Sequence, residues 1–164
     1  MARLNDEARA SRLTMLDDAQ REAVRQAPYG VVAAVAGRVE AIRLRRLPKL
    51  LAWPEVWPCG GDYHPRGPAD RCLLYYNQPR RCPQFIALKY VATTRGTHYR
   101  TFKAALDALD ELARLKGVEA LLCDAANRRL SDRLLGRLGW TPHAPQRWHR
   151  NFIKRFAAAG DAGC

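Results

Sequence analysis

The chain has 164 residues, 48% of them hydrophobic, and carries 28 Lys and Arg residues against 16 Asp and Glu, a net charge of +12. A chain of this length can bury a full core without disulfide or metal staples, so we expect a single domain over residues 1–164. No apolar run is long enough to span a bilayer, and the N-terminus lacks the apolar core of a signal peptide. We therefore expect a cytoplasmic protein with no membrane partner.

The basic charge attracts polyanions in general and does not by itself define a partner. The arginines are spread from Arg3 to Arg155 rather than gathered into one stripe. A nucleic-acid partner is therefore left open but is not favoured.

Five cysteines are an odd number, which argues against a complete disulfide framework. A zinc site could be drawn from Cys59, His64, Cys72 and Cys82, because thiolate and imidazole are zinc ligands. Their spacing matches no compact zinc motif. We therefore expect reduced thiols and no metal site.

The first half of the chain predicts one helix and then two pairs of strands. Apolar residues at helical spacing indicate a helix over Thr14–Gln26. Val31–Arg45 is rich in β-branched residues and has a turn at Ala36–Gly37, which predicts two short strands. Residues 47–71 are rich in Pro and Gly and are expected to be irregular. Cys72–Tyr76 and Gln84–Ala92 then predict a hairpin.

The second half alternates between strands and helices. A helix is predicted by one apolar stripe, with Thr101 as its cap and Gly117 after its end; the stripe comprises Phe102, Ala105, Leu106, Leu109, Leu112 and Ala113. Val118–Cys123 predicts a buried strand. A second helix follows, with Asn127 as its cap, and ends at Gly139 before Trp140. Trp148–Phe156 predicts the last strand.

This order of elements, with the stretch from Asn127 through an amphipathic helix to Gly139–Trp140, resembles the C-terminal half of the GNAT N-acetyltransferase superfamily. The resemblance covers about residues 85–156. It implies an α/β fold with a mixed, mostly antiparallel sheet, a βαβ unit in the C-terminal half and helices on both faces.

The same resemblance implies acetyl-CoA or another acyl-CoA as cofactor. In the family, an Arg or Gln followed by glycines cradles the CoA pyrophosphate at a helix N-terminus. The matching residues here, which with Asn127 are the expected cofactor-binding residues, are Arg95, Gly96, Thr97, His98, Tyr99 and Arg100. His98 and Arg100 stand where the family has glycines. Their side chains either block the approach of phosphate, or Arg100 supplies the positive charge directly.

The catalytic positions of the family have no match in this sequence. Many members use a carboxylate on the strand that corresponds to Phe85–Ala92, which has none, and a Tyr at the position of Leu135. We therefore assign no catalytic residue. The expected function is transfer of an acyl group to an amine of a small molecule or protein. The alternative is a catalytically inactive module of the same shape that binds nucleic acid or another anionic partner.

Overall fold

The structure, a computed structural model, describes residues 17–47, 69–94, 96–125, 130–144 and 150–156. Within these ranges the chain forms three helices: α1 (Asp18–Gln26), α2 (Tyr99–Leu115) and α3 (Asp132–Arg137). Its seven strands are β1 (Tyr29–Val35), β2 (Arg38–Arg45), β3 (Arg71–Asn77), β4 (Phe85–Thr93), β5 (Ala120–Asp124), β6 (Thr141–Pro142) and β7 (Asn151–Arg155).

The seven strands form one sheet in the order β2-β1-β3-β4-β5-β7-β6. Only the β4–β5 pair is parallel, and α2 connects these two strands. Parallel neighbours require a crossover connection of this kind. The expected fold class, a mixed and mostly antiparallel sheet with a βαβ unit in the C-terminal half, is confirmed.

The β1–β2 hairpin turns at Ala36 and Gly37, which both have positive φ, at 50° and 79°. Two such residues form the tight turn whose twist suits neighbouring antiparallel strands. The prediction of two short strands around this turn is therefore confirmed. Most of the predicted irregular segment 47–71 lies outside the described residues.

Helix α1 begins with a reciprocal cap. The Asp17 side chain accepts from the amide of Gln20 at 2.7 Å, and the Gln20 side chain accepts from the amide of Asp17 at 3.3 Å. The predicted helix is confirmed from Asp18 to Gln26, and residues 14–16 lie outside the described ranges. None of the described helices is long and apolar enough to cross a membrane.

Helix α2 covers one face of the sheet and supplies most of the helical contribution to the core. Leu109 and Leu112 are fully buried, together with Val32 on β1 and Leu74 on β3. Each such side chain contributes about 1.5–3 kcal/mol by burial. The apolar stripe that predicted this helix is thus the surface that fixes α2 on the sheet.

Helix α3 is shorter than the sequence predicted. Its cap is Ser131, whose hydroxyl accepts from the amide of Leu134 at 3.2 Å. The prediction that Asn127 caps this helix is wrong, because the helix starts only at Asp132; Asn127 itself lies outside the described residues. Gly139 ends the helix with φ 84°. The amide of Trp140 then donates to the carbonyl of Leu135, and the indole is buried as predicted.

An ion pair joins α2 to β7, a strand near one edge of the sheet. Lys154 Nζ on β7 lies 2.5 Å from Asp110 Oδ2, and both side chains are largely buried. Burial raises the pKa of Asp110, and the nearby ammonium group of Lys154 opposes that rise. The pair helps to fix α2 against β7.

Candidate functional site

Strands β4 and β5 pair along only part of their length. The parallel register runs from Phe85 opposite Ala120 to Leu88 opposite Cys123. Lys89 then forms a bulge, because Tyr75 of β3 pairs with Tyr90 while Tyr76 pairs with Leu88. Within the described ranges, the rest of β4 has β3 as its sole strand partner. We call the region beside this second half of β4, Lys89–Thr93, where no other described strand pairs with it, the β4–β5 gap.

The hydrogen bonds to β3 show which amides of β4 point into the gap. The amide of Thr94 donates to the carbonyl of Arg71 at 3.1 Å. Backbone groups alternate in direction along an antiparallel strand, so the amides of Ala92 and Tyr90 also point towards β3. The N–H and C=O groups of Val91 and Thr93 therefore point away from β3 into the gap.

A compact turn follows β4 and brings the chain directly to α2. The Thr97 hydroxyl donates to the carbonyl of Thr94 at 2.8 Å and lies 2.9 Å from the carbonyl of Arg71. The Thr94 hydroxyl accepts from the amide of Arg71 at 2.9 Å. These bonds place the N-terminus of α2 at the carboxyl end of β4, beside the open end of the gap.

The N-terminus of α2 carries amides that no described residue accepts. His98 is the cap residue, in extended conformation and without a side-chain capping bond. The amides of Tyr99 and Arg100 have no acceptor among the described residues. Gly96 has φ 76°, and a Cβ there would meet open space. Unpaired amides at the positive end of a helix are suited to binding an anion.

A carboxylate from another part of the chain already lies at this helix end. Asp70 Oδ1 accepts from the amide of His98 at 2.7 Å, and Asp70 Oδ2 lies 3.9 Å from the Arg100 guanidinium. A hydrogen bond from the Thr101 hydroxyl is the main cause that lowers the pKa of Asp70, followed by the bond from the His98 amide. Asp70 is therefore held as an anion in contact with the first turn of α2.

The β1–β2 turn completes this cluster. The Thr101 hydroxyl accepts from the amide of Gly37 at 2.7 Å, and the side chain of Arg100 passes over Gly37. A Cβ at position 37 would lie 3.1 Å from Arg100 Cδ. Glycine thus permits both the positive φ and the close passage of Arg100.

The structure places the expected cofactor-binding residues as follows. Gly96, Thr97 and His98 form the connection into α2, whereas Arg95 and Asn127 lie outside the described residues. Tyr99 and Arg100 were expected in a loop but occupy the first turn of the helix. The prediction that Thr101 caps α2 is wrong, since Thr101 is buried within the helix and His98 is the cap. A role for any of these residues in cofactor binding stays a prediction.

Two acidic residues at this end of the sheet were missed by the sequence analysis. Asp70 precedes β3 and reaches α2 only through the fold, so no local spacing could reveal it. Asp124 is the exposed last residue of β5, the strand across the gap from β4. A carboxylate at the carboxyl end of a buried strand is a signal that could have been noted.

Other side chains considered in the sequence lie in structural positions. Leu135 is buried in the core, 3% exposed. Of the four alternative zinc ligands, Cys72 is buried and Cys82 is exposed beyond the other end of β3. Cys59 and His64 lie outside the described residues. Among the residues described, no group of three metal-binding side chains comes together.

Comparisons with known proteins found partial structural similarity to solved acetyltransferases and no match in sequence. No family profile and no curated protein matches the sequence. The PaiA N-acetyltransferase from Thermoplasma acidophilum, solved in complex with coenzyme A, is similar in structure, with 10% identity and a TM-score of 0.45. A protein described as a GNAT-family acetyltransferase from Desulfovibrio desulfuricans is also similar, with 18% identity and a TM-score of 0.43.

Both similarities are partial. They cover 52% and 54% of this chain, and 53% and 62% of the two solved chains. This chain therefore spans only about half to three-fifths of the length of those proteins. At such identities and TM-scores neither structure informs on activity or ligand. The fold class rests on the strand order and the βαβ unit of the chain itself.

Proposed function

We propose that the chain binds an acyl-CoA in the β4–β5 gap and transfers its acyl group to an amine. The proposal depends chiefly on one observation: the backbone groups of Val91 and Thr93 point away from β3, beside the N-terminus of α2, and no described strand pairs with them there. Ligands of open α/β sheets bind outside the carboxyl ends of neighbouring strands that diverge. The gap lies at such a point.

The two halves of coenzyme A match the two parts of this site. Its pantetheine arm is extended and contains amide groups, which can pair with an open strand edge as an added strand does. Its phosphates suit the amides of Tyr99 and Arg100 at the helix end. The arm would run back along β4 from Thr93 towards Lys89. This places the thioester near the closed end of the gap, where β4 and β5 begin to pair.

The expected chemistry is direct transfer. The nitrogen of a neutral amine attacks the thioester carbonyl carbon, the C–S bond breaks, and the proton lost by nitrogen ends on the departing sulfur. Holding amine and thioester together supplies much of the acceleration. Burial raises the pKa of Cys123, beside the closed end, to about 12. A thiol in that state is a poor nucleophile, which disfavours an acyl-cysteine intermediate.

Isothermal titration calorimetry with acetyl-CoA tests this proposal. We expect one site per chain and a Kd of about 1–100 μM, which corresponds to roughly −5.5 to −8 kcal/mol. Pantetheine alone should bind more weakly, because it lacks the phosphates. If no binding is detected at about 1 mM acetyl-CoA, the free energy of binding is weaker than about −4 kcal/mol. That result would contradict the proposal.

The inactive binding module is the second candidate, and the position of Asp70 favours it. A carboxylate that already accepts from the His98 amide occupies part of the surface that a phosphate would use. If a nucleic acid is the partner instead, its affinity should fall steeply with salt as counterions are released. Binding of RNA or DNA with that salt dependence, together with no binding of acetyl-CoA, would favour this candidate.

A further inference from the structure

Asp70 has a backbone conformation that directs its side chain at α2. Its φ of 58° lies in the left-handed region, which Asp tolerates better than most residues but still at some cost. Its carbonyl accepts from the amide of Ala36 at 3.0 Å, which continues the ladder between β1 and β3. The sheet therefore fixes the backbone of Asp70 in the conformation that presents the carboxylate to the helix.

The contacts of Asp70 are those of an anion bound at a helix end. One carboxylate oxygen accepts from the His98 amide and the other faces the Arg100 guanidinium. Helix α2 has no acidic residue of its own in its first turn. Asp70 thus compensates the positive end of the helix dipole from a position 28 residues earlier in the chain.

A ligand phosphate at this helix end would meet that carboxylate. The His98 amide is already occupied, and the Arg100 side chain, 63% exposed, is drawn towards Asp70. Like charges a few ångströms apart repel, even near the surface. No described residue accepts from the amides of Tyr99 and Arg100, so a ligand can still bind them. The carboxylate of Asp70 lowers the positive potential that the ligand would meet there.

We propose that Asp70 is an internal anion that competes with the phosphates of the ligand at the N-terminus of α2 and so sets the affinity of the site for them. The inference rests on the proposed function. It adds that Asp70 selects among ligands by the charge of the group that they place at the N-terminus of α2. Ligands with a neutral group there are disfavoured less than polyphosphates are. Removal of the charge should open the site to phosphate.

The variant Asp70→Asn tests this with little change of shape. Asparagine tolerates positive φ and can still accept from the His98 amide; it removes the negative charge and places an NH2 group where the second carboxylate oxygen lay. Asp70→Gly is the second variant, because glycine adopts the same φ freely and also frees the His98 amide. Asp107→Asn is the matched control: it removes one negative charge from an i,i+4 pair with Lys103 further along the same helix.

Inorganic pyrophosphate, coenzyme A and pantetheine are titrated into each folded variant at low salt. We expect Asp70→Asn to bind pyrophosphate and coenzyme A about tenfold more tightly than the unmodified chain, with Asp107→Asn unchanged. Affinity for pantetheine, which has no phosphate, should be the same in all variants. The tenfold gain should shrink as salt screens the charges.

The outcomes separate this inference from the proposed function. Pyrophosphate affinity that is equal in Asp70→Asn and Asp107→Asn, or lower in both Asp70 variants, overturns the inference even if coenzyme A binds. A gain in pyrophosphate affinity confined to the Asp70 variants supports it. If coenzyme A then binds no better than pyrophosphate, the proposed function fails while the role of Asp70 stands.

Discussion

Replacing Gly30 with alanine is expected to lower the free energy of unfolding by about 3 kcal/mol, at the upper end of the range for overpacked cores. Gly30 on β1 lies directly opposite Tyr76 on β3, whose ring covers it. A Cβ at position 30 would lie 2.5 Å from the Tyr76 hydroxyl oxygen and 2.6 Å from Cζ. Tyr76 is fully buried and belongs to the core cluster, so a shift of its ring would disturb the packed side chains around it.

A double-mutant cycle tests whether the Tyr76 ring causes the loss of stability in Gly30→Ala. In a Tyr76→Leu background the added methyl group has no aromatic ring to meet, so Gly30→Ala should cost less than about 1 kcal/mol. Gly136→Ala serves as the control, because a Cβ there meets nothing within 4 Å. On an exposed helix it should stabilise by about 0.5–1 kcal/mol. Urea denaturation measures the four proteins of the cycle and the Gly136→Ala control. A Gly30→Ala variant within about 0.5 kcal/mol of the unmodified chain would contradict the packing described.

The buried hydroxyl group of Tyr76 itself lowers the stability of the fold. It is buried without a hydrogen-bond partner among the described residues, and burial raises the pKa of Tyr76 to about 12. An unpaired buried hydroxyl costs about 1–3 kcal/mol. At the Gly30–Tyr76 pair, the ring therefore contributes through its packing and not through a hydrogen bond of its hydroxyl group to a described residue.

Replacing Val91 with proline is expected to weaken acetyl-CoA binding at least tenfold while the fold is retained. The amide of Val91 points into the gap, so its loss leaves the ladder to β3 intact. A ligand would lose one hydrogen bond, worth about 0.5–1.5 kcal/mol, and would also meet the added ring. Some stability is lost with the partly buried valine side chain, about 1 kcal/mol.

Ala92→Pro is the matched control for Val91→Pro. The amide of Ala92 points towards β3, so proline at that position removes a ladder bond inside the sheet. A loss of about 3 kcal/mol or more is expected. Calorimetry and thermal unfolding together measure both variants. Undiminished binding by a folded Val91→Pro protein would contradict the proposed site, and a stable Ala92→Pro protein would contradict the assigned direction of the amides.

Most of the fold could be predicted from the sequence, because periodicity reports which side chains face the core. The stripe through Leu109 and Leu112 predicted α2, and the short apolar run Cys72–Tyr76 between turn residues predicted β3. The turn at Ala36–Gly37 and the end of α3 at Gly139 also followed from local chemistry. These features depend on residues that are neighbours along the chain.

The candidate site was less predictable, because its contacts join residues far apart in sequence. Helix α2 begins at Tyr99 rather than near Thr101. The amide of its cap residue, His98, donates to Asp70, which precedes β3 in the chain. The cap of α3 at Ser131 was missed because Asn127 is an equally good capping residue by type. The gap lies where β4, after a bulge at Lys89, continues past the end of β5, and no pattern within either strand predicts this.

Amide hydrogen exchange at Val91 and Thr93 is the most direct test of the proposed acyl-CoA site. In the free chain these two amides should exchange faster than those of Tyr90 and Ala92, which point towards β3. Saturating acetyl-CoA should slow the exchange of Val91 and Thr93 at least tenfold, because each additional kilocalorie of protection slows exchange about fivefold. If both amides exchange at the same rate with and without acetyl-CoA, no ligand arm pairs with this edge of β4, and the proposed site is wrong.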